Sequence, residues 1–117
     1  YLLLCSTRDI KLSLEIDAYS ERTYYTPGFG EFCAMVGKIN LLFSPDTATV
    51  HLASIYNIPV FGLYVKYATE DIIWYPYNTR YEAIVTSSPT LKDVKFLKVM
   101  EKFDPFLNDE LKRHEHS

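Results

Sequence analysis

The chain has 117 residues, enough for one domain with a hydrophobic core of its own. Hydrophobic residues make up 48% and charged residues 23%, a balance typical of globular proteins, which excludes a largely disordered chain. The net charge of −3 provides no extended basic surface for a phosphate backbone, so nucleic acid is not expected as a partner.

The amino-terminal segments alternate between strand-like and helix-like patterns. Residues 1–6 are apolar, as in a parallel strand covered on both faces, and they open without an initiating Met. This opening indicates a start inside a larger domain. Residues 9–19 favour a helix, although the alternation of their apolar positions leaves a strand open. Residues 22–25 form a short predicted strand that ends at the Pro27-Gly28 turn.

A second helix is predicted over residues 29–39, where Phe32, Cys33, Val36 and Ile39 recur at helical spacing. Asn40 offers an exit from it, and residues 41–43 continue as a strand. The chain has two cysteines, Cys5 in the first strand and Cys33 in this helix. Two buried thiols in a reducing compartment are expected, and a single disulfide or a reactive thiol are the alternatives.

The clearest unit follows. Residues 44–47 break the strand, residues 48–56 form a predicted helix, and residues 60–65 form another strand. Asn57 can end that helix and Pro59 cannot continue it. Strand, helix and strand in so few residues predict a right-handed βαβ crossover in a parallel sheet, and therefore an α/β fold.

The remaining residues predict one loop, one strand and one helix. The loop, residues 68–80, carries Trp74, which lies either near a ligand cleft or over the sheet edge. Residues 81–86 form the last predicted strand, and residues 91–103 a helix. Residues 104–117 are interpreted as a polar, fraying tail, which divides the chain into a domain at 1–103 and a tail at 104–117.

The junction between the strand at 41–43 and the helix at 48–56 is the predicted binding site. Ligands bind beyond the carboxyl ends of parallel strands, and the free N–H groups of a helix starting there suit phosphate. Asp46 and Thr47 stand at or near the N-cap, Ala48 is small enough for a ligand to approach the backbone, and His51 can donate a hydrogen bond to a phosphate or sugar oxygen. A plain N-cap pair with a structural His is the alternative.

Other candidate groups favour ordinary structure. His114-Glu115-His116 lacks the spacing of a zinc motif, so no metal site is predicted. Glu31, Glu70, Asp71 and Glu82 form no convincing acid/base pair. The ten tyrosines are interpreted mainly as packing residues, with sugar stacking as the alternative.

One motif resembles a known family. The motif reads Phe43-Ser44-Pro45-Asp46-Thr47-Ala48-Thr49-Val50-His51-Leu52-Ala53-Ser54, followed by residues 57–64, which lead through Pro59 into the next strand. It is similar to the signature of the lipopolysaccharide heptosyltransferases, glycosyltransferase family 9: an apolar strand, Asp-Thr-Gly, two residues, His-Leu-Ala and a Pro-led strand. The Trp74-Tyr75-Pro76 element is also similar to one that often follows this signature.

The resemblance implies a Rossmann-like parallel sheet flanked by helices, within the carboxyl-terminal, donor-binding domain of a GT-B glycosyltransferase. It implies that Asp46, Thr47, Ala48 and His51 line the diphosphate of a nucleotide-sugar donor, commonly ADP-heptose, with no cofactor and no metal required. The acceptor would be a lipopolysaccharide-type glycolipid, bound through a separate domain. The protein would be cytoplasmic or peripheral at the inner membrane.

Two departures from the family matter. The family's glycine is Ala48 here, which hinders close backbone approach. The general base belongs to the family's amino-terminal domain, so no residue here is assigned as catalytic and the 117 residues alone are expected to be inactive. A non-catalytic α/β binding or assembly module that kept the fold is the alternative function.

Overall fold

The computed structural model describes residues 3–5, 15, 23–25, 28–45, 48–68, 70 and 72–115. The chain divides into two compact units, Tyr1–Met35 and Val36–Ser117.

The first unit contains a parallel pair of short strands and most of a helix. Strand β1 (Leu3–Cys5) pairs with β2 (Thr23–Tyr25), which confirms both predicted strands. The helix predicted at 9–19 lies outside the described residues, apart from Glu15.

Helix α1 spans Phe29–Val36, so the predicted end near Ile39 is wrong. The backbone N–H of Ile39 donates to the carbonyl of Val36 at 3.4 Å, three residues back, which is a turn and not a continuation of the helix. Gly37 follows Val36 directly, and the low helix propensity of glycine favours an end at this point. The predicted helix was too long because the prediction followed the spacing of the apolar residues, which gives no weight to the glycine.

The second unit is built on a parallel sheet in the order β3–β4–β5. The strands are β3 (Leu42–Pro45), β4 (Val60–Val65) and β5 (Tyr81–Thr86). Helix α2 (Ala48–Ile55) joins β3 to β4 and packs against both strands. The described part of the chain is thus an α/β fold with an open parallel sheet flanked by helices, consistent with a Rossmann-like fold, as the sequence predicted.

The carboxyl end of α2 follows from Asn57. This residue has a φ of 57°, the left-handed conformation that asparagine tolerates better than most residues. The N–H of Asn57 donates to the Ser54 carbonyl and the N–H of Ile58 to the Ala53 carbonyl, which are the two bonds of a Schellman motif. The predicted termination at Asn57 is confirmed, and it directs the chain into β4.

The last helix is longer than predicted. A short 3₁₀ turn covers Leu91–Asp93, with Thr90 as its N-cap, and α3 then runs over Phe96–Glu115. The prediction of a helix ending near Phe103 and a fraying segment from Asp104 is wrong, because Phe106 and Glu110 are buried on α3.

Both faces of the sheet are covered at β4, where Val60, Phe61 and Tyr64 are at most 1% exposed. On one face, the ring of Phe61 packs against those of Phe43 and Phe103, at centroid distances of 5.3 and 5.2 Å respectively. On the other face, the ring of Tyr64 contacts that of Tyr75, which in turn stacks on Tyr81.

Candidate functional site

The candidate site lies where the parallel strands end. Because β3, β4 and β5 run in the same direction, their carboxyl ends share one edge of the sheet. Helix α2 begins at Ala48, three residues after Pro45, the last residue of β3. The amino end of α2 therefore lies at this edge, as the sequence predicted. Asp46 and Thr47, between these two elements, lie outside the described residues, and their roles remain predictions.

Helix α2 has one buried side and one side facing solvent. Val50 and Ala53 are fully buried and are separated by three residues, so they lie on the same face. Ala48 and His51 have the same spacing, and both are exposed. The imidazole of His51 is therefore not a core residue. It shares with Ala48 a solvent-accessible face on the first turns of α2.

Small residues lie below this edge and fix the position of a buried tyrosine. Ser44, Gly62 and Ala83 are register partners across the three strands. A Cβ atom on Gly62 would lie 2.4 Å from Cε2 of Tyr64, so the glycine provides the space that the ring occupies. The Tyr64 ring contacts that of Tyr75 edge-on, at 5.2 Å between centroids. Sequence analysis assigned no role to this arrangement, which ties the loop after β4 to the sheet.

A groove of about 590 Å³ opens at the end of β5, and sequence analysis missed it. Thr86 and Ser87 line one wall, and three lysines from the chain around the start of α3 line the other. These lysines are Lys95, Lys98 and Lys102. Asp93 and Glu101 also line the groove, so its formal charge is only slightly positive. The helical spacing of the lysines was readable in the sequence, but the position of α3 beside β5 was not.

The structure places several of the other candidate residues. Within the described ranges, no group of three His, Cys, Asp or Glu side chains is placed to hold a metal ion. His114 and Glu115 lie on the last turn of α3. Cys33 is a free, half-buried thiol on α1. Trp74 is 64% exposed, so it does not fill the core.

Helices long and apolar enough to cross a membrane are absent from the described residues. No protein-family model, curated protein or solved structure matches the chain. What the structure itself defines is the class: an α/β protein with an open parallel sheet and a helix that begins at its carboxyl edge.

Proposed function

We propose that this chain is the donor-binding portion of a glycosyltransferase that transfers a sugar, heptose by resemblance, from a nucleotide diphosphate sugar to a lipopolysaccharide-type acceptor. The observation that carries the proposal is the β3–α2 junction. There, α2 begins at the carboxyl edge of a parallel sheet and presents Ala48 and His51 to solvent on one face. The motif that resembles the heptosyltransferase signature spans this same junction.

The chemistry assigned to the junction is charge stabilisation. An acceptor hydroxyl attacks the anomeric carbon of the donor sugar, the bond to the diphosphate oxygen breaks, and the nucleotide diphosphate leaves with the electron pair. The hydroxyl proton goes to a general base contributed by residues other than those assigned here. The positive end of the α2 dipole offsets the charge that grows on the leaving phosphate, with a hydrogen bond from His51.

Ala48 decides how closely a phosphate approaches the backbone. Its methyl group is exposed at the first position of α2, where the family signature has glycine. An alanine in a helix costs no backbone strain, so the substitution is compatible with the observed conformation. The methyl group of Ala48 narrows the space between a bound phosphate and the backbone, compared with the glycine of the family signature.

An NMR titration tests the proposal. ADP and an ADP-sugar are added while the backbone amide shifts of the chain are followed, and the amides of Thr47, Ala48 and His51 are expected to move most. The amide of His114, at the far end of α3, serves as the internal control. If the shifts at the α2 amino end stay constant at millimolar ligand while amides elsewhere respond, the site assignment is wrong. If no amide responds, the proposed function itself fails.

A non-catalytic binding or assembly module is the alternative function. The loop after β4 favours it, because Trp74 and Tyr77 are 64% and 84% exposed. Exposed aromatic side chains are typical of protein interfaces. An assembly module would show a change in mass with a partner protein and no response to ADP, whereas a donor-binding domain would respond to ADP alone.

A further inference from the structure

Strand β5 has an outer edge that no other strand covers within the described ranges. The sheet order is β3–β4–β5, so β5 uses only one of its two sides for pairing in the second unit. The groove described above is lined by Ile84, Val85 and Thr86 of this strand, and its opposite wall is a 3₁₀ turn and helix α3, not a further strand. An uncovered strand edge is a template for pairing with another strand.

The register shows which backbone groups face outward. The Arg80 carbonyl accepts from the N–H of Val60, and the Thr86 carbonyl accepts from the N–H of Lys66. Backbone groups alternate sides along a strand, so the even-numbered residues of β5 bond to β4. The N–H and C=O groups of Tyr81, Ala83 and Val85 consequently point away from the sheet.

Two charged side chains occupy the middle of this edge. The N–H of Ala83 donates to Oε1 of Glu82 at 3.0 Å, and the carbonyl of Ala83 accepts from Nζ of Lys102 at 3.3 Å. The same Glu82 oxygen lies 3.7 Å from Nζ of Lys102. Both outward groups of Ala83 are thereby satisfied without a neighbouring strand.

The edge is self-complementary around Ala83. In an antiparallel pairing of two copies about a two-fold axis, Ala83 would face Ala83 of the second copy, and Tyr81 would face Val85. Tyr81, Ala83 and Val85 of each copy would present their outward N–H and C=O groups to the other copy. Tyrosine opposite a β-branched residue is a favourable cross-strand pair. A second copy is therefore the partner that this edge fits.

We propose that Glu82 and Lys102 form an edge guard that prevents β5 from pairing with β5 of a second copy. The guard occupies the central Ala83 position, so the free groups that remain, at Tyr81 and Val85, are isolated from one another. With Ala83 blocked, only one residue on each side can pair with a second strand. That is too few for a stable ladder, because strands of globular proteins usually span at least three residues.

The test is the mass of the full chain in solution. Glu82→Ala with Lys102→Ala removes the guard, and we expect a concentration-dependent doubling of the mass by light scattering after size exclusion. Lys98→Ala with Glu101→Ala is the matched control, because it breaks another α3 ion pair, at 3.8 Å, and leaves both hydrogen bonds of Ala83 in place. The control variant is expected to keep the wild-type mass.

A proline locates the interface. Val85→Pro removes an outward N–H that β4 does not use, so it is compatible with an edge strand and blocks pairing. Added to the guard-free variant, it is expected to restore the wild-type mass. If the guard-free variant folds and keeps the wild-type mass, or if its larger mass survives Val85→Pro, the proposal is overturned.

Hydrogen exchange tests the guard in the unmodified chain, whether or not the variants fold. The Ala83 amide, bonded to Glu82, is expected to exchange at least about tenfold more slowly than the outward amides of Tyr81 and Val85. Equal exchange at the three amides would contradict the guard.

Discussion

The guanidinium of Arg80 joins the residue before β5 to the carboxyl-terminal half of α3, with its Nε 2.6 Å from Oε1 of Glu110. Nη2 of the same side chain lies 2.6 Å from Oδ2 of Asp109, and the guanidinium carbon lies 5.8 Å from the centre of the Phe106 ring. Glu110 is only 5% exposed, so Arg80 is the counter-charge that allows this carboxylate to be buried. These contacts explain why α3 continues past Phe103.

Removing Arg80 is expected to destabilise the protein. Arg80→Ala leaves the Glu110 carboxylate buried without its partner, and we expect the free energy of unfolding to fall by about 1–3 kcal/mol. The loss is smaller than for a fully buried ion pair, because the Arg80 side chain is partly exposed. Glu110→Gln in the Arg80→Ala background is expected to recover part of the loss, because a neutral amide is cheaper to bury. Urea unfolding of the two variants and the wild type measures this. A double variant less stable than Arg80→Ala would contradict the assignment.

Acid is expected to weaken the same contact through Asp109. The hydrogen bond from Arg80 lowers the pKa of Asp109 below its ordinary value of about 3.9. Burial alone would lower the pKa of Arg80, but the hydrogen bond to Asp109 and the nearby carboxylates raise it, so Arg80 stays charged throughout.

The sign of the effect follows from linkage. A carboxylate whose pKa is lower in the folded state contributes stability above its unfolded pKa and loses it as the pH falls through the folded value. Wild type and Asp109→Asn are therefore expected to differ in free energy of unfolding at pH 6 and to converge as the pH falls below about 3.9 and through the lower folded pKa of Asp109. A difference that is constant with pH would show that Asp109 acts through something other than its charge.

Alanine in place of three glycines is expected to give three different results. At Gly62 the added Cβ would lie 2.4 Å from the buried Tyr64 ring, and we expect a loss of about 1–3 kcal/mol. At Gly37 it would lie 3.0 Å from Cε1 of Tyr56, which is 44% exposed and can move, so the loss is smaller.

Gly30 completes the series, because its Cβ would meet nothing within 4 Å and it lies in α1. Alanine there is expected to gain up to about 1 kcal/mol from helix propensity. Thermal unfolding of the three single variants measures the order. A Gly62→Ala variant as stable as Gly30→Ala would contradict the packing of Tyr64 over the sheet.

Much of the fold was readable because local chemistry and tertiary packing agree. The strand predicted at residues 60–65 has the same bounds as β4, since its apolar residues are covered on both faces. Asn57 ends α2 as predicted, because its left-handed conformation and the two closing hydrogen bonds, from the N–H groups of Asn57 and Ile58, are all local. Where the signal is contained within one segment, sequence patterns suffice.

The end of α1 was missed although Gly37 marks it locally, but the other errors arose where a distant residue decides the structure. Glu110 reads as a polar position of a fraying tail, and its burial depends on Arg80, thirty residues earlier in the chain. The groove beside β5 and the pairing of Lys102 with Glu82 depend on strand register and on where α3 lies, which no local pattern encodes. At the candidate site, Ala48 and His51 lie on an exposed face of α2, and the binding roles of these residues remain predictions.

The central claim is that the amino end of α2 binds the diphosphate of the donor. The most direct test is to enlarge the side chain at position 48 and to measure the dissociation constant for ADP by calorimetry. Ala48→Val adds two methyl groups at the amino end of α2 and is expected to weaken ADP binding about tenfold, or about 1.4 kcal/mol. The matched control is Ala34→Val, the same change at an exposed position of α1, which is expected to leave the constant unchanged. Equal ADP affinity for wild type and both variants would contradict phosphate binding at the start of α2.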